Sequence, residues 1–173
     1  GAKAEVVTYF NAIPVLCDIE YDTHNMDVSK IEALITNKTK AIIPVHFAGQ
    51  PCDMDEIMDI AGRFNLKVIE DAAHSLPSMY KNKKIGLIGD ITCFSFYATK
   101  TLATGEGGMA VTRNNEYAKK IKINRLHGIS KDAWDRYSEK GSWYYEVVDN
   151  GNKYNTTDIN AALGIAQLKK LEK

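Results

Sequence analysis

The chain has 173 residues, with 22 basic and 22 acidic side chains, a formal net charge of zero and 45% hydrophobic residues. That length suits one domain with a real core, not two comfortable ones. The charge balance gives no general attraction to nucleic acid or an anionic membrane, and no apolar run approaches the roughly 18–20 residues of a membrane span. Residues 4–10 (AEVVTYF) suit helix or strand, whereas residues 12–19 (AIPVLCDI) are apolar and β-branched and predict a strand. Ser29 and Glu32 have the form of a capping box, followed by Ile31, Leu34 and Ile35 at helical spacing. KAIIPVHF (40–47) reads as a buried strand ending near Pro44–His46. Asp53 and Glu56 can cap a helix with an apolar stripe of Ile57, Ile60, Ala61 and Phe64. Lys81, Lys83 and Lys84 read as a solvated loop. LKVIED (66–71), ITCFSFY (91–97) and GGMAVT (107–112) read as strands, and NNEYAKKIKIN (114–124) as a helix. Residues 125–155 are rich in Trp, Tyr, Gly and charge with weak periodicity, the pattern of a functional or mobile segment. Thr157 can cap a last helix through Leu171, with Ile159, Ala162, Leu163 and Ala166 on one side.

Strands alternating with helices imply an α/β domain with a mostly parallel sheet flanked by helices. The continuously apolar strands agree, because both faces of such a sheet are covered. Cys17, Cys52 and Cys93 are widely spaced and form no CxxC, which argues for reduced thiols in a cytoplasmic protein. His24, His46 and His127 have no metal-ligand spacing with each other or with the cysteines, so structural roles are expected of them and no metal site is.

Ligands of open α/β sheets sit beyond the carboxyl ends of the strands. One strand ends in Glu70-Asp71-Ala72-Ala73-His74, and another ends just before Lys100. In FSFYATKTLATGEGGMAV (94–111), Phe94 and Phe96 point to one face of the strand and Ser95 and Tyr97 to the other. Gly105, Gly107 and Gly108 then let the backbone turn tightly. A carboxylate, a lysine and a Gly/Ser-rich backbone pocket at one rim suit pyridoxal phosphate. The lysine forms a Schiff base, the carboxylate keeps the pyridine nitrogen protonated, and hydroxyl and N–H groups hold the phosphate. Spacing alone leaves open a solvated surface lysine, and an Asp71 that caps a helix starting at Ala72. GEGG does not open a helix, so a dinucleotide site is not expected.

VIEDAAHS (68–75), GLIGDITCFSFYATKTLATGEGGMAVT (86–112), RLHGIS (125–130) and KYNTTDINAALGIAQLKKLE (153–172) resemble the DegT/DnrJ family of sugar aminotransferases. These are vitamin B6 enzymes of the aspartate-aminotransferase fold type, fold type I. The resemblance implies that Lys100 forms the Schiff base with pyridoxal 5'-phosphate and later moves the proton. It pairs Asp71 with the pyridine nitrogen, sets His74 beside the ring and its 3-hydroxyl, and gives Ser95 to the phosphate. Asn155 would reach the cofactor phosphate of the neighbouring subunit in a homodimer. The implied reaction moves an amino group from an amino acid, L-glutamate by resemblance, to a nucleotide-linked keto-sugar, in the biosynthesis of amino sugars for polysaccharides or antibiotics. Related sugar dehydratases carry histidine in place of the lysine, and a non-catalytic regulatory relative would be expected to lose Lys100 or Asp71; both residues are present here. The chain corresponds to part of the family's large, cofactor-binding domain. The family's N-terminal phosphate loop, its ring-stacking aromatic and its C-terminal small domain have no match in residues 1–173, so these residues alone are expected to be inactive. Trp134, Trp143, Tyr144 and Tyr145 suit an active-site edge, a dimer interface or plain packing.

Overall fold

Four strands build the central sheet in the computed structural model, which describes residues 2–130 and 144–171. Trp134 and Trp143 lie outside the described residues. The strands are β1 (Ala41–Ile42), β2 (Lys67–Asp71), β5 (Ile91–Ser95) and β6 (Gly108–Val111), in the order β1-β2-β5-β6. β2 runs parallel to both β1 and β5, while β6 returns antiparallel to β5. The expected α/β architecture with a mostly parallel sheet is therefore present. β1 is short because Pro44 has no N–H to continue the ladder. Pairing resumes as a single parallel bridge between Val45 and Asp71. The Pro44 carbonyl accepts from Asp71 N–H at 2.9 Å, and the Asp71 carbonyl accepts from His46 N–H at 3.1 Å. The end of β2 is thus held on its β1 side by both backbone groups of Asp71.

The helices include α1 (Ala2–Thr8), α2 (Val28–Leu34) and α3 (Met54–Arg63). α3 buries Met54, Ile57, Ile60 and Ala61. They pack with Ile31 of α2, Ile42 of β1, and Leu66 and Val68 at β2 to form the main core. The chain then makes a hairpin of β3 (Met79–Tyr80) and β4 (Lys83–Lys84) where a loop was expected. Its two turn residues, Lys81 and Asn82, both have positive φ, as a tight hairpin turn requires. α4 (Asn115–Asn124) is capped by Asn114, which accepts from the N–H groups of Glu116 and Tyr117. α5 (Asp158–Leu168) is capped by Thr157, and it ends three residues before the expected Leu171.

Three local expectations are corrected. Residues 12–19 form no strand; Ile19 makes one bridge to Met26, and Ile13 and Leu16 stand 86% and 82% exposed. Among the described residues, no strand lies beside this segment to pair with it. α2 is capped by Asp27, not Ser29: the Asp27 carboxylate accepts from Ser29 N–H at 3.0 Å and from the Ser29 hydroxyl at 2.6 Å. Asp53 stands at the N-cap of α3, where its carbonyl accepts from Ile57 N–H, but its side chain makes no direct bond to the helix. The Tyr80 hydroxyl relays it, donating to the Asp53 carboxylate and accepting from Asp55 N–H.

Replacing Asn114 with alanine leaves two first-turn N–H groups of α4 without their acceptor. A loss of about 1 kcal/mol is expected, read as a lower urea midpoint with an unchanged slope. An unchanged midpoint would show that water replaces the cap fully.

Candidate active site

β2 and β5 end side by side, with Asp71 opposite Cys93 in the parallel register. Asp71 is the last residue of β2. Its Oδ1 accepts from Ala73 N–H at 3.1 Å, folding the chain back onto the carboxylate. This local turn replaces the helix that Asp71 could have capped. Asp71 Oδ2 faces the other way and forms an ion pair with Lys3 Nζ at 3.1 Å. Lys3 is 45% exposed and Asp71 22%, so the pair is partly solvated.

At the end of β5, the Ser95 hydroxyl oxygen accepts from Tyr97 N–H at 3.3 Å, and beyond it Lys100 N–H donates to the Tyr97 carbonyl at 2.9 Å. Lys100 therefore sits in a turn directly beyond the strand end, half-buried. Both ends of its loop are tied together. Phe96 N–H donates to the Gly107 carbonyl and Thr104 N–H to the Phe96 carbonyl, each at 2.8 Å. The glycine at 107 is required: at φ +148° a Cβ there would stand 2.8 Å from Thr104 Oγ1.

The structure thus brings Asp71, Ser95 and Lys100 to the carboxyl-end rim of two adjacent strands. His74 is exposed in the turn after β2, and its carbonyl lies against Gly49. Asn155 stands apart, exposed in the segment leading into α5, with its amide 3.4 Å from the Thr156 carbonyl.

Beneath the rim lies a buried polar cluster that sequence reasoning missed. Glu70 precedes Asp71, so strand alternation sends its side chain to the opposite face. It is fully buried there. Its carboxylate accepts from His46 Nε2 at 2.9 Å, the Thr92 hydroxyl at 2.6 Å and Gly89 N–H at 2.8 Å. His46 Nδ1 accepts from Cys52 N–H at 3.1 Å, which places the ring proton on Nε2. Burial alone would raise the Glu70 pKa, but the three hydrogen bonds outweigh it and hold the carboxyl below its usual value. Burial pushes the neighbouring Cys52 thiol up to about 11, so it stays protonated. An acidic pair in an otherwise apolar strand was the available signal, since the second acid must find buried partners.

Gly89 fits this cluster without a side chain. A Cβ would stand 2.9 Å from Glu70 Oε1 and 3.1 Å from the Val68 carbonyl. Gly89→Ala is expected to cost about 1–3 kcal/mol through overpacking. A thermal melt checks this, and an unshifted midpoint would show that the loop yields freely.

The donor set fits pyridoxal phosphate. The outward oxygen of Asp71 pairs with the ammonium of Lys3, so it can accept from a cationic N–H, as a protonated ring nitrogen would require. A primary amine, a hydroxyl and glycine backbone share the rim. Among the described residues, no group of His, Cys, Asp and Glu could hold a metal ion, and no helix is long and apolar enough to cross a membrane.

The family model described as the DegT/DnrJ/EryC1/StrS aminotransferase family matches residues 1–173. The chain is 54% identical over 172 residues to the spore coat polysaccharide biosynthesis protein SpsC of Bacillus subtilis, covering 99% of this chain and 44% of that protein. It is 46% identical over 171 residues to GDP-perosamine synthase of Caulobacter vibrioides, covering 99% of this chain and 43% of that one. A solved structure of Spr1654 from Streptococcus pneumoniae in its PLP form matches with a TM-score of 0.86 and 38% identity, over 99% of this chain and 46% of that one. The chain therefore spans less than half the length of these relatives.

Proposed function

The chain belongs to the DegT/DnrJ/EryC1/StrS aminotransferase family, and from that premise we propose that the whole protein is a pyridoxal phosphate-dependent aminotransferase acting on a nucleotide-linked keto-sugar. The amino donor is an amino acid, L-glutamate in this proposal. Residues 1–173 form part of the large cofactor-binding domain, and they are inactive without the rest of the protein. The protein works as a cytoplasmic homodimer in amino-sugar or polysaccharide biosynthesis. The observation that carries the proposal is Lys100 in the turn beyond β5, with Asp71, whose Oδ2 pairs with the Lys3 ammonium, at the end of the neighbouring strand β2.

When bound, pyridoxal phosphate supplies an electron sink that makes the proton next to the transferred nitrogen labile. This chain's residues do the rest. Lys100 Nζ would hold the cofactor's aldehyde carbon and, once free, would act as the acid–base group for the proton made labile there. Asp71 Oδ2, in place of its bond to Lys3, would accept the ring N–H and keep that nitrogen protonated. The Ser95 hydroxyl and the backbone N–H groups of the glycine turn bind phosphate oxygens. His74 would lie by the ring and its 3-hydroxyl, and Asn155 would reach the phosphate in the neighbouring subunit.

Borohydride reduction of the whole protein loaded with pyridoxal phosphate, followed by peptide mapping, tests this. A phosphopyridoxyl group confined to Lys100 is expected. No adduct, or labelling scattered over many lysines, would sink the proposal.

A further inference from the structure

α5 sends one polar side chain into the loop that holds Lys100. Asn160 Nδ2 donates to the Glu106 carbonyl at 2.8 Å, across 54 residues of sequence. The same carbonyl accepts from the Thr104 hydroxyl at 2.7 Å. Thr104 is itself buried, and its N–H is bonded to the Phe96 carbonyl. One helical turn beyond Asn160, Gly164 presents only backbone to this loop; a Cβ there would stand 3.3 Å from Thr104 Cγ2. The helix therefore lies close against the loop, and a single carbonyl is gripped by one donor from the loop and one from the helix. The Phe96–Gly107 bond fixes the loop from the sheet side. Asn160 fixes it from the helix side.

We propose that Asn160 is a positioning residue for Lys100. Its amide anchors the Glu106 carbonyl, and through Thr104 and Phe96 it sets where the turn carrying Lys100 stands relative to Asp71. Asn160 touches neither substrate nor cofactor. The inference rests on the proposed role of Lys100. It also couples the Lys100 loop mechanically to the neighbouring subunit's site, because the segment leading into α5 carries Asn155. A shift of α5 would therefore move the Lys100 loop and Asn155 together.

The test uses the whole protein with pyridoxal phosphate as the probe, comparing Asn160→Asp and Asn160→Ala with the wild type. Asn160→Asp keeps the shape but replaces the amide donor with a carboxylate facing a carbonyl. Both variants are expected to slow borohydride trapping at Lys100 by about tenfold, since a misplaced reacting group loses rate steeply. The pH midpoint of the visible absorption band should move as well, because the lysine nitrogen sits differently against Asp71. The melting temperature of the cofactor-free protein should stay within about 2 °C. Trapping at the wild-type rate with an unmoved midpoint would overturn the proposal. Slower trapping that only follows a general drop in melting temperature, with the midpoint unmoved, would overturn it too, as the mark of a purely structural residue. If the wild type itself gives no Lys100 adduct, the role of Lys100 fails and this inference fails with it.

Discussion

Lys100→Ala is expected to lower amino transfer by about 10²–10⁴-fold or more, the range supplied by a positioned acid–base group. Methyl truncation removes the nitrogen proposed to hold the cofactor and the only carrier proposed for the migrating proton. The fold should survive. Lys100 contributes its N–H to the Tyr97 turn, which alanine keeps, and the loop ends are joined by the backbone bonds of Phe96 with Gly107 and Thr104. The measurement is kcat/KM for amine formation on the whole protein, with melting temperature as the control. Added methylamine should restore part of the rate, because a free amine can carry the proton that the side chain no longer carries. A variant within tenfold of the wild type would remove Lys100 from the mechanism.

Glu70→Ala should have the largest effect on stability. It strips the acceptor from His46, Thr92 and Gly89 at once, all beneath the rim. Breaking a buried, fully bonded charge typically costs about 3–5 kcal/mol. Against a total of about 5–15 kcal/mol, that leaves a marginal domain. Glu70→Gln keeps the volume but turns one amide N–H₂ toward a donor, so a smaller loss of about 1–3 kcal/mol is expected. The pH dependence has a definite sign. The Glu70 pKa is lower in the fold than in the unfolded chain, where it takes the usual glutamate value. Its stabilisation is complete above the unfolded value and is lost as the pH falls through the folded one. Urea melts at neutral pH and across the acid range should show the wild type weakening, with Glu70→Gln flatter over the same interval. Equal acid sensitivity in both would assign the loss to other carboxylates.

Much of the sheet was legible because its strands are continuously apolar runs bounded by helices with clear stripes; α3 is the plainest example, with Ile57, Ile60 and Ala61 all buried. Residues 12–19 misled because β-branched composition reports a preference, and a strand also needs a neighbour. Ser29 misled because the real cap, Asp27, uses it as a donor. At the site, Asp71, Ser95 and Lys100 were legible as strand-end chemistry. The partners of Glu70 were not, since His46 lies 24 residues away and Thr92 22. Asn160 was hidden for the same reason, and periodicity carries no record of such pairings. His74 and Asn155 are exposed turn and segment residues whose roles come from the family resemblance.

The antiparallel return of β6 has a thermodynamic consequence. Lys100 belongs to a loop between β5 and β6, a hairpin-like unit that can close through local contacts. Asp71 belongs to β2, which joins that unit through the parallel pairing of Ile69, Glu70 and Asp71 with Ile91, Thr92 and Cys93 and through the Thr92 hydroxyl bonded to Glu70. A cofactor held by both would act as a crosslink between two separately closing parts of the chain. Binding only the assembled state, it would add stability that grows with its concentration. Cofactor supply would then set not just how much enzyme is active but how much survives proteolysis, since the unloaded sheet could open along the β2–β5 seam.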